Sequence, residues 1–272
     1  MSRSTTLTTA ALLLAALGSL TACGPTDDPT PASGSTGSAA AAPAPAKSAA
    51  DSPAAAPSGA AKPAASVPAN AGANPAGGVP ASAWTASNGI PMAAQYHWGA
   101  LAGAAQAVNN PKFEFEQLCM STRDPSNDLA DWKGPAAQSH LAAPGQDYAD
   151  WQVQQTVVHF PGTSSGGAQM ANALFQGLAD ELNACGRSTK GAKVKVTSTG
   201  GDNGNSNLAA TVTVPETSGG TYTLHQYLSL TGRTVTELAL WSDHPAHPWS
   251  APADAVVLKA LESPLCSSFK DC

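Results

Sequence analysis

The chain is short of charge, and of positive charge most of all. Only 12% of its residues are Asp, Glu, Lys or Arg, with 13 Lys and Arg against 19 Asp and Glu, a net charge of −6. That balance argues against nucleic acid or an anionic lipid surface as a partner of the folded part. No apolar run is long enough to span a bilayer; the one at residues 10–22 is too short and too Ala-rich. No Cys-x-x-Cys pair occurs, so the cysteine spacing fits no zinc pattern. No kinase signature and no internal repeat is present. Between Gly24 and Ala83 there is not one aromatic residue.

What is there begins with Leu20-Thr21-Ala22-Cys23, after the positive start supplied by Arg3. A short apolar segment ending in small residues and then a cysteine reads as a lipoprotein signal-peptidase site. Residues 1–22 are read as the signal peptide, and Cys23 as the new N-terminus carrying acyl chains (diacylglyceryl, palmitate). The expected address is the extracytoplasmic face of the cell membrane, lipid-anchored.

Residues 23–83 are read as the lipidated cysteine and a disordered tether. From Gly24 the segment is mostly Ala, Pro, Ser, Gly and Thr, with charges only at Asp27, Asp28, Lys47, Asp51 and Lys62. It cannot bury enough apolar area to offset its ordering entropy. Its prolines keep the alanines from joining into a long helix. As a flexible coil its ends would lie roughly 45 Å apart, and fully extended it could reach about 190 Å. Its implied role is spacing a head from the membrane.

Trp84 opens a different composition, and residues 84–272 are read as one globular, sensor-like domain. All 6 Trp and all 4 Tyr lie here, and so does the whole charge imbalance. Phe113 to Cys119 alternates Phe and Glu and predicts a short strand. Asp124 to Gly145, rich in Pro, Gly, Asp, Asn and Ser, predicts a long loop. Trp151 to Phe160 predicts a strand, with Gln152 and Gln154 opposite Trp151 and Val153. Gly166 to Ala184 predicts a helix with Ala171, Leu174, Phe175, Leu178, Leu182 and Cys185 on one face and Gly186 as its C-cap. Strands follow at Lys193–Thr199, Leu208–Val214, Tyr222–Leu230 and Thr234–Trp241, separated by Gly-containing turns such as Asp202-Asn203-Gly204. Ala253 to Leu261 predicts a closing helix, with Val256, Val257, Ala260 and Leu261 buried. The fold class is therefore α+β: a mainly antiparallel sheet with one long helix and a C-terminal helix, disulfide-bonded. One sheet face is expected to carry the helices and the other to meet solvent or a ligand.

After Cys23, four cysteines remain: Cys119, Cys185, Cys266 and Cys272. An even count in an exported domain points to two disulfides, for which three pairings exist. Cys119–Cys185 with Cys266–Cys272 is preferred. The long loop would contribute about 4 kcal/mol and the short one about 2.5 kcal/mol.

Val153 to Gly186 (VQQTVVHFPGTSSGGAQMANALFQGLADELNACG) resembles the PknH-like extracellular sensor domain of actinobacteria. That family has a Gln-containing strand, a Pro and small residues, then a long helix ending in Ala-Cys-Gly or similar. Cys119 matches its first cysteine, and TLHQYLSL with TVTELALW matches its closing hairpin. The resemblance covers most of 112–241 and supports the Cys119–Cys185 pairing. The chain departs from the pattern in one respect. The family has two further cysteines near the closing hairpin, whereas Cys266 and Cys272 lie in the C-terminal tail. Members are outer domains of receptor kinases or stand-alone lipoproteins, thought to bind a ligand in a cleft. The resemblance implies a stand-alone lipoprotein that binds a small ligand or an envelope protein.

Several constellations carry chemistry on paper. Gly162-Thr163-Ser164-Ser165-Gly166 matches G-x-S-x-G between a strand and a helix, the context of a nucleophile elbow. A secreted serine hydrolase using Ser164, with Asp202 or Asp243 and His244 or His247, is one alternative function. Against it, the later strands read as hairpins, not as βα units, and Pro161 to Ser164 is ordinary loop and N-cap composition. Asp243-His244-Pro245-Ala246-His247 could offer metal ligands, but a solvated loop explains it equally well. No metal, cofactor or catalytic residue is assigned. His159 and His225 within strands read as structural. A structural cell-wall lipoprotein that contacts a partner protein is the other alternative. For the sensing role, the expected ligand-binding residues are His225, Tyr227, Trp241, His244, His247 and Trp249. They would line a cleft on the open side of the sheet, suited to a small apolar or carbohydrate-like ligand.

Overall fold

Two strands are buried along both faces, and they form the centre of the sheet. Strand β7 (Thr234–Ser242) is buried at every position, and β3 (Gln152–His159) at all but Gln154. The computed structural model describes residues 76–145, 149–201, 204–217 and 219–270, with Ser126 and Ser164 described by backbone only. The signal peptide, Cys23, the tether up to residue 75, the Asp202-Asn203 turn and Cys272 lie outside the described residues.

Before β3 the chain makes the short helices α1 (Ala93–Tyr96), α2 (Leu101–Ala104) and α3 (Glu114–Leu118), with strands β1 (Gln106–Ala107) and β2 (Ala136–Ala142). After it come helix α4 (Ser164–Ser188), strands β4 (Lys193–Gly200), β5 (Ser206–Pro215) and β6 (Thr221–Thr231), then β7 and helix α5 (Asp254–Phe269). The 7 strands form one sheet in the order β1-β2-β3-β7-β6-β5-β4, and every pairing is antiparallel. β4 is the exposed edge, where Lys193 and Lys195 discourage further strand pairing. The α+β antiparallel class is what the sequence predicts. Among the described residues no helix is long and apolar enough to cross a membrane.

Strand parity sorts the core into two layers. On one face, Val153, Val157, Ala209, Tyr227, Leu238 and Leu240 pack against Val257, Leu258, Leu261 and Leu265 of α5. Trp84, Ile90, Tyr96, Trp98 and Leu101 close the same layer. On the other face, Val158, Leu224, Leu228, Val235, Ala239 and Trp241 pack against Ala171, Leu174, Phe175, Leu178 and Leu182 of α4 and against Phe113 and Phe115. Among the described residues both faces of the central strands are therefore covered, and neither is left as the expected open side. The covering material is α5 together with residues 79–102. Val79 and Ala83 are fully buried, and the Ala136 N–H donates to Gly77 O at 3.1 Å, so ordered packing begins ahead of Trp84.

Four local expectations need correction. Phe113 to Cys119 is not a strand but turns into α3. Glu116 Oε2 accepts from the Phe113 N–H at 2.7 Å, one half of a capping box, and Arg123 pairs with the same carboxylate at 2.5 Å. The Phe and Glu alternation is not one of burial, since Glu116 is buried with Phe113 and Phe115, and its ion pair with Arg123 sets the backbone. The expected loop 124–145 contains β2, whose Ala-Ala-Gln-Ser-His-Leu-Ala has no β-branched or aromatic residue and reads as a strand only through its pairing with β3. Gly186 does not cap α4; the helix runs on to Ser188, where the Thr189 N–H donates to Cys185 O at 2.8 Å. Helix α5 continues through Pro264 to Phe269, and its buried positions are Val257, Leu258, Leu261 and Leu265, while Val256 is 55% exposed.

Cys119 and Cys185 form a disulfide with Cα atoms 5.0 Å apart, as expected, although it joins α3 to α4 and not a strand to a helix. Cys266 is also in disulfide linkage.

Candidate functional site

The expected ligand-binding residues do not form one cleft. His225 and Tyr227 pair across β6–β7 with Leu240 and Leu238, so they face α5. Trp241 has the opposite parity and lies on the α4 face, stacked on His140 with ring centroids 5.5 Å apart. A single register step puts it on the other side of the sheet.

On the α5 face the aromatic groups fill each other's space. The His225 ring lies flat on Trp249 at 3.5 Å with an interplanar angle of 4°, and Trp151 packs on both at 5.7 and 5.0 Å. Burial lowers the His225 pKa to about 4, against the opposing pull of the Asp254 carboxylate. The Tyr227 hydroxyl donates to Asp254 Oδ1 at 3.3 Å. Burial, then the same carboxylate, raises the Tyr227 pKa above its ordinary range. His247 is exposed; its ring meets Tyr96 edge-on at 5.6 Å and its carbonyl accepts from the Trp151 indole at 2.9 Å. Of the expected residues, His225 and Trp249 thus meet, as packing. His244 lies apart from them, its ligand atom within 4.8 Å of those of Asp243 and Glu216.

Ser164 is the first residue of α4, with Thr163 as N-cap accepting from the Gly166 N–H at 3.3 Å. The strand before it, β3, is antiparallel to both neighbours. The parallel sheet beneath a nucleophile elbow is therefore not the sheet of this fold.

Two features went unseen in the sequence reading. The first is a groove of about 220 Å³ between α4 and the 127–132 segment. Leu129, Trp132, Phe160, Met170 and Leu174 form its apolar wall, and Asp128 and Asp131 its acidic rim. Trp132 packs on Phe160 with centroids 4.6 Å apart, and its buried Nε1–H has no acceptor. Gly134 makes this possible: a Cβ there would lie 2.0 Å from Trp132 Cζ2. Met170, 52% exposed, stands at the mouth and supplies an adaptable apolar side chain. A lone tryptophan in a Pro- and Gly-rich stretch gave no periodic signal of this groove; only the burial of its neighbours does.

The second is a buried carboxyl. Glu237, fully buried in β7, accepts from the Glu114 N–H (2.8 Å), the Gln226 side-chain amide (2.9 Å) and the Thr156 hydroxyl (3.1 Å). Burial pushes its pKa up to about 8 in spite of these donors. Glu114 is raised for the same reason. Beside Glu237, the buried Gln226 Oε1 and Gln154 Nε2 have no partner in the protein. Such atoms call for water or a ligand group.

No family model and no curated protein matches this chain. Solved structures show a weak likeness. The extracellular domain of PknH from Mycobacterium tuberculosis aligns with a TM-score of 0.31 and 18% identity over 47% of this chain and 63% of that domain, just under two thirds of its length. PA94 from Pseudomonas aeruginosa, a protein of unknown function, aligns with a TM-score of 0.26 and 16% identity over 47% of this chain and 77% of that one. Likeness at this level assigns neither family nor function.

Proposed function

We propose that this chain is a membrane-tethered extracytoplasmic lipoprotein, anchored through Cys23, whose head binds a small ligand in the Trp132 groove. One observation carries the binding role: an apolar groove of about 220 Å³ lined by Trp132, whose buried indole N–H has no acceptor, and rimmed by two aspartates. The volume suits a single ring or a short chain and is below that of a drug-sized site. The aspartates favour a cationic end on that ligand. The occupant is thus a small apolar or aromatic molecule bearing an amine. Tether composition and the disulfide agree with an oxidising, extracytoplasmic setting.

The test uses the full chain in detergent and tryptamine as the probe. Tryptamine should bind saturably and raise the melting temperature of the wild type, and Gly134→Val, which displaces Trp132, should lose most of that rise. Cells carrying Cys23→Ala should retain an unprocessed protein or shed it, while tryptamine binding by the purified variant stays intact. Equal stabilisation of wild type and Gly134→Val would remove the groove from the site. A processed, membrane-bound Cys23→Ala protein would remove the anchor.

A further inference from the structure

Glu216 sits in the turn between β5 and β6, and Asp243 and His244 follow the end of β7. The fold brings these two places together at one end of the sheet. The Asp243 and His244 N–H groups both donate to Ala149 O, at 3.2 and 2.9 Å, which fixes the backbone after β7. The turn is closed by the Glu216 N–H donating to Gly220 O at 3.0 Å and the Gly219 N–H to Glu216 O at 3.1 Å. One potential ligand atom from each of Glu216, Asp243 and His244 lies within 4.8 Å of the others. Metal–oxygen and metal–nitrogen bonds of about 2.1 Å set ligand atoms roughly 3–4 Å apart. Rotation of the side chains, His244 being exposed, closes the remaining distance.

Two further observations point at the same spot. Asp243 Oδ1 is a buried acceptor with no donor. Gly220 leaves a cradle that a side chain would occupy: a Cβ there would lie 2.9 Å from Glu216 Oε2 and 3.5 Å from His244 Cε1. The charge is one-sided as well. The neighbouring Tyr222 hydroxyl is pushed far above its ordinary range by burial and then by the charges of Glu114, Asp243 and Glu216. Two carboxylates at this separation repel each other, and a cation between them would relieve that repulsion.

We propose that Glu216, Asp243 and His244 bind one divalent transition-metal cation, Zn²⁺ being the representative, in a three-ligand site open to water on its remaining positions. The imidazole selects a borderline metal over Mg²⁺ or Ca²⁺, which favour all-oxygen sets. The bound ion would clip the β5–β6 turn to the segment that leads into α5. His247, three residues on, is not a ligand; its ring packs on Tyr96. This site stands independently of the Trp132 groove.

The test is calorimetric titration of the chelator-stripped full chain, in detergent, with ZnCl₂ and with MgCl₂. One Zn²⁺ per chain should bind, with an accompanying rise in melting temperature. Glu216→Gln, His244→Ala and Gly220→Val should each weaken it at least about tenfold. His97→Ala, at an exposed histidine elsewhere, should not. Melting in EDTA checks that each variant is folded, so loss of binding reports on the site and not on unfolding. Absence of saturable one-to-one Zn²⁺ binding overturns the proposal. So does unchanged affinity in Glu216→Gln and His244→Ala, or tighter binding of Mg²⁺ than of Zn²⁺.

Discussion

The two faces of the sheet come from the same strands and are finished in opposite ways. Towards α5, rings fill the space: His225 on Trp249, Trp151 against both, Tyr96 on Trp98 at 5.0 Å. Buried polar groups there reach partners across the layer, as when the Thr85 N–H donates to Gln155 Oε1 at 3.0 Å and the Ser139 hydroxyl to Leu101 O at 2.7 Å. Towards α3 and α4, ionisable groups are buried: the Glu237 carboxyl within β7, and the Glu116–Arg123 ion pair at 2.5 Å. That side also keeps unpartnered atoms, on Gln154, Gln226 and Trp132, and it borders the groove. The lesson concerns where a ligand can enter. A face closed by stacked rings leaves little room for a ligand, even though Thr85 Oγ1 there lacks a partner, whereas unpartnered buried polar atoms beside a groove are costly unless something satisfies them. The proposed binding site is therefore on the α4 face, although the aromatic residues that suggest one in the sequence lie mainly on the other.

The strongest way to break this contrast is to release the cross-link on the charged face. The Cys119–Cys185 bridge spans a sequence separation of 66 and ties α3, which carries the Glu114 N–H to Glu237, to α4. Replacing both cysteines by serine should cost about 4 kcal/mol in urea unfolding. It should also loosen α3 before α5, seen as faster amide exchange at Glu114 than at Leu261. Equal exchange in the two helices would mean that the faces do not unfold separately.

A smaller effect comes from the buried carboxyl itself. Glu237 has its pKa raised from 4.5 to about 8 by burial, so the folded state holds a proton that the unfolded state releases between those values. Its contribution is therefore greatest below pH 4.5 and is lost as pH rises through 8. Glu237→Gln, a neutral near-isostere, should remove that downward slope. A variant profile parallel to the wild type over pH 4.5–8 would show that Glu237 is ionised throughout.

The contrast itself was only partly legible in the sequence. Strands β4 to β7 and the apolar face of α4 follow from alternation and three-to-four spacing, signals that local residues carry by themselves. Helix α3 and strand β2 do not. The first is decided by Glu116 meeting Arg123, the second by its register with β3. Among site residues, the shared face of His225 and Tyr227 follows from period two, and the stacking of Trp249 on His225 from the short loop after β7. The placement of Trp241 on the opposite face follows from the same parity applied to β7. The Trp132 groove has no such signature, because its wall joins a helix face to a loop through contacts distant in sequence. The coverage of the second face was hidden too, since residues 76–83 share the composition of the tether and are placed by Val79 and Ala83 entering the core.

The smallest expected effect lies on the aromatic face and has the opposite sign. His225 is held with its pKa lowered to about 4, from 6.5, because burial under Trp249 and beside Trp151 disfavours the imidazolium more than Asp254 favours it. Between these values the unfolded chain binds the proton and the folded chain does not. Stability from this residue is therefore complete above pH 6.5 and is lost as pH falls through 4, by about 1–2 kcal/mol for a partly exposed ring. Glu237 acts the other way over pH 4.5–8, so the two faces oppose each other between 4.5 and 6.5 and the wild-type profile is flattened there. His225→Phe keeps a ring against Trp249 and removes the titration. The variant should match the wild type near pH 7 and gain on it steadily down to pH 4, with the steep slope of Glu237 now unmasked. If the difference between the two proteins is the same at pH 4 and pH 7, the ring is not held neutral by its stack, and the aromatic face is as open to protons and solvent as the charged one.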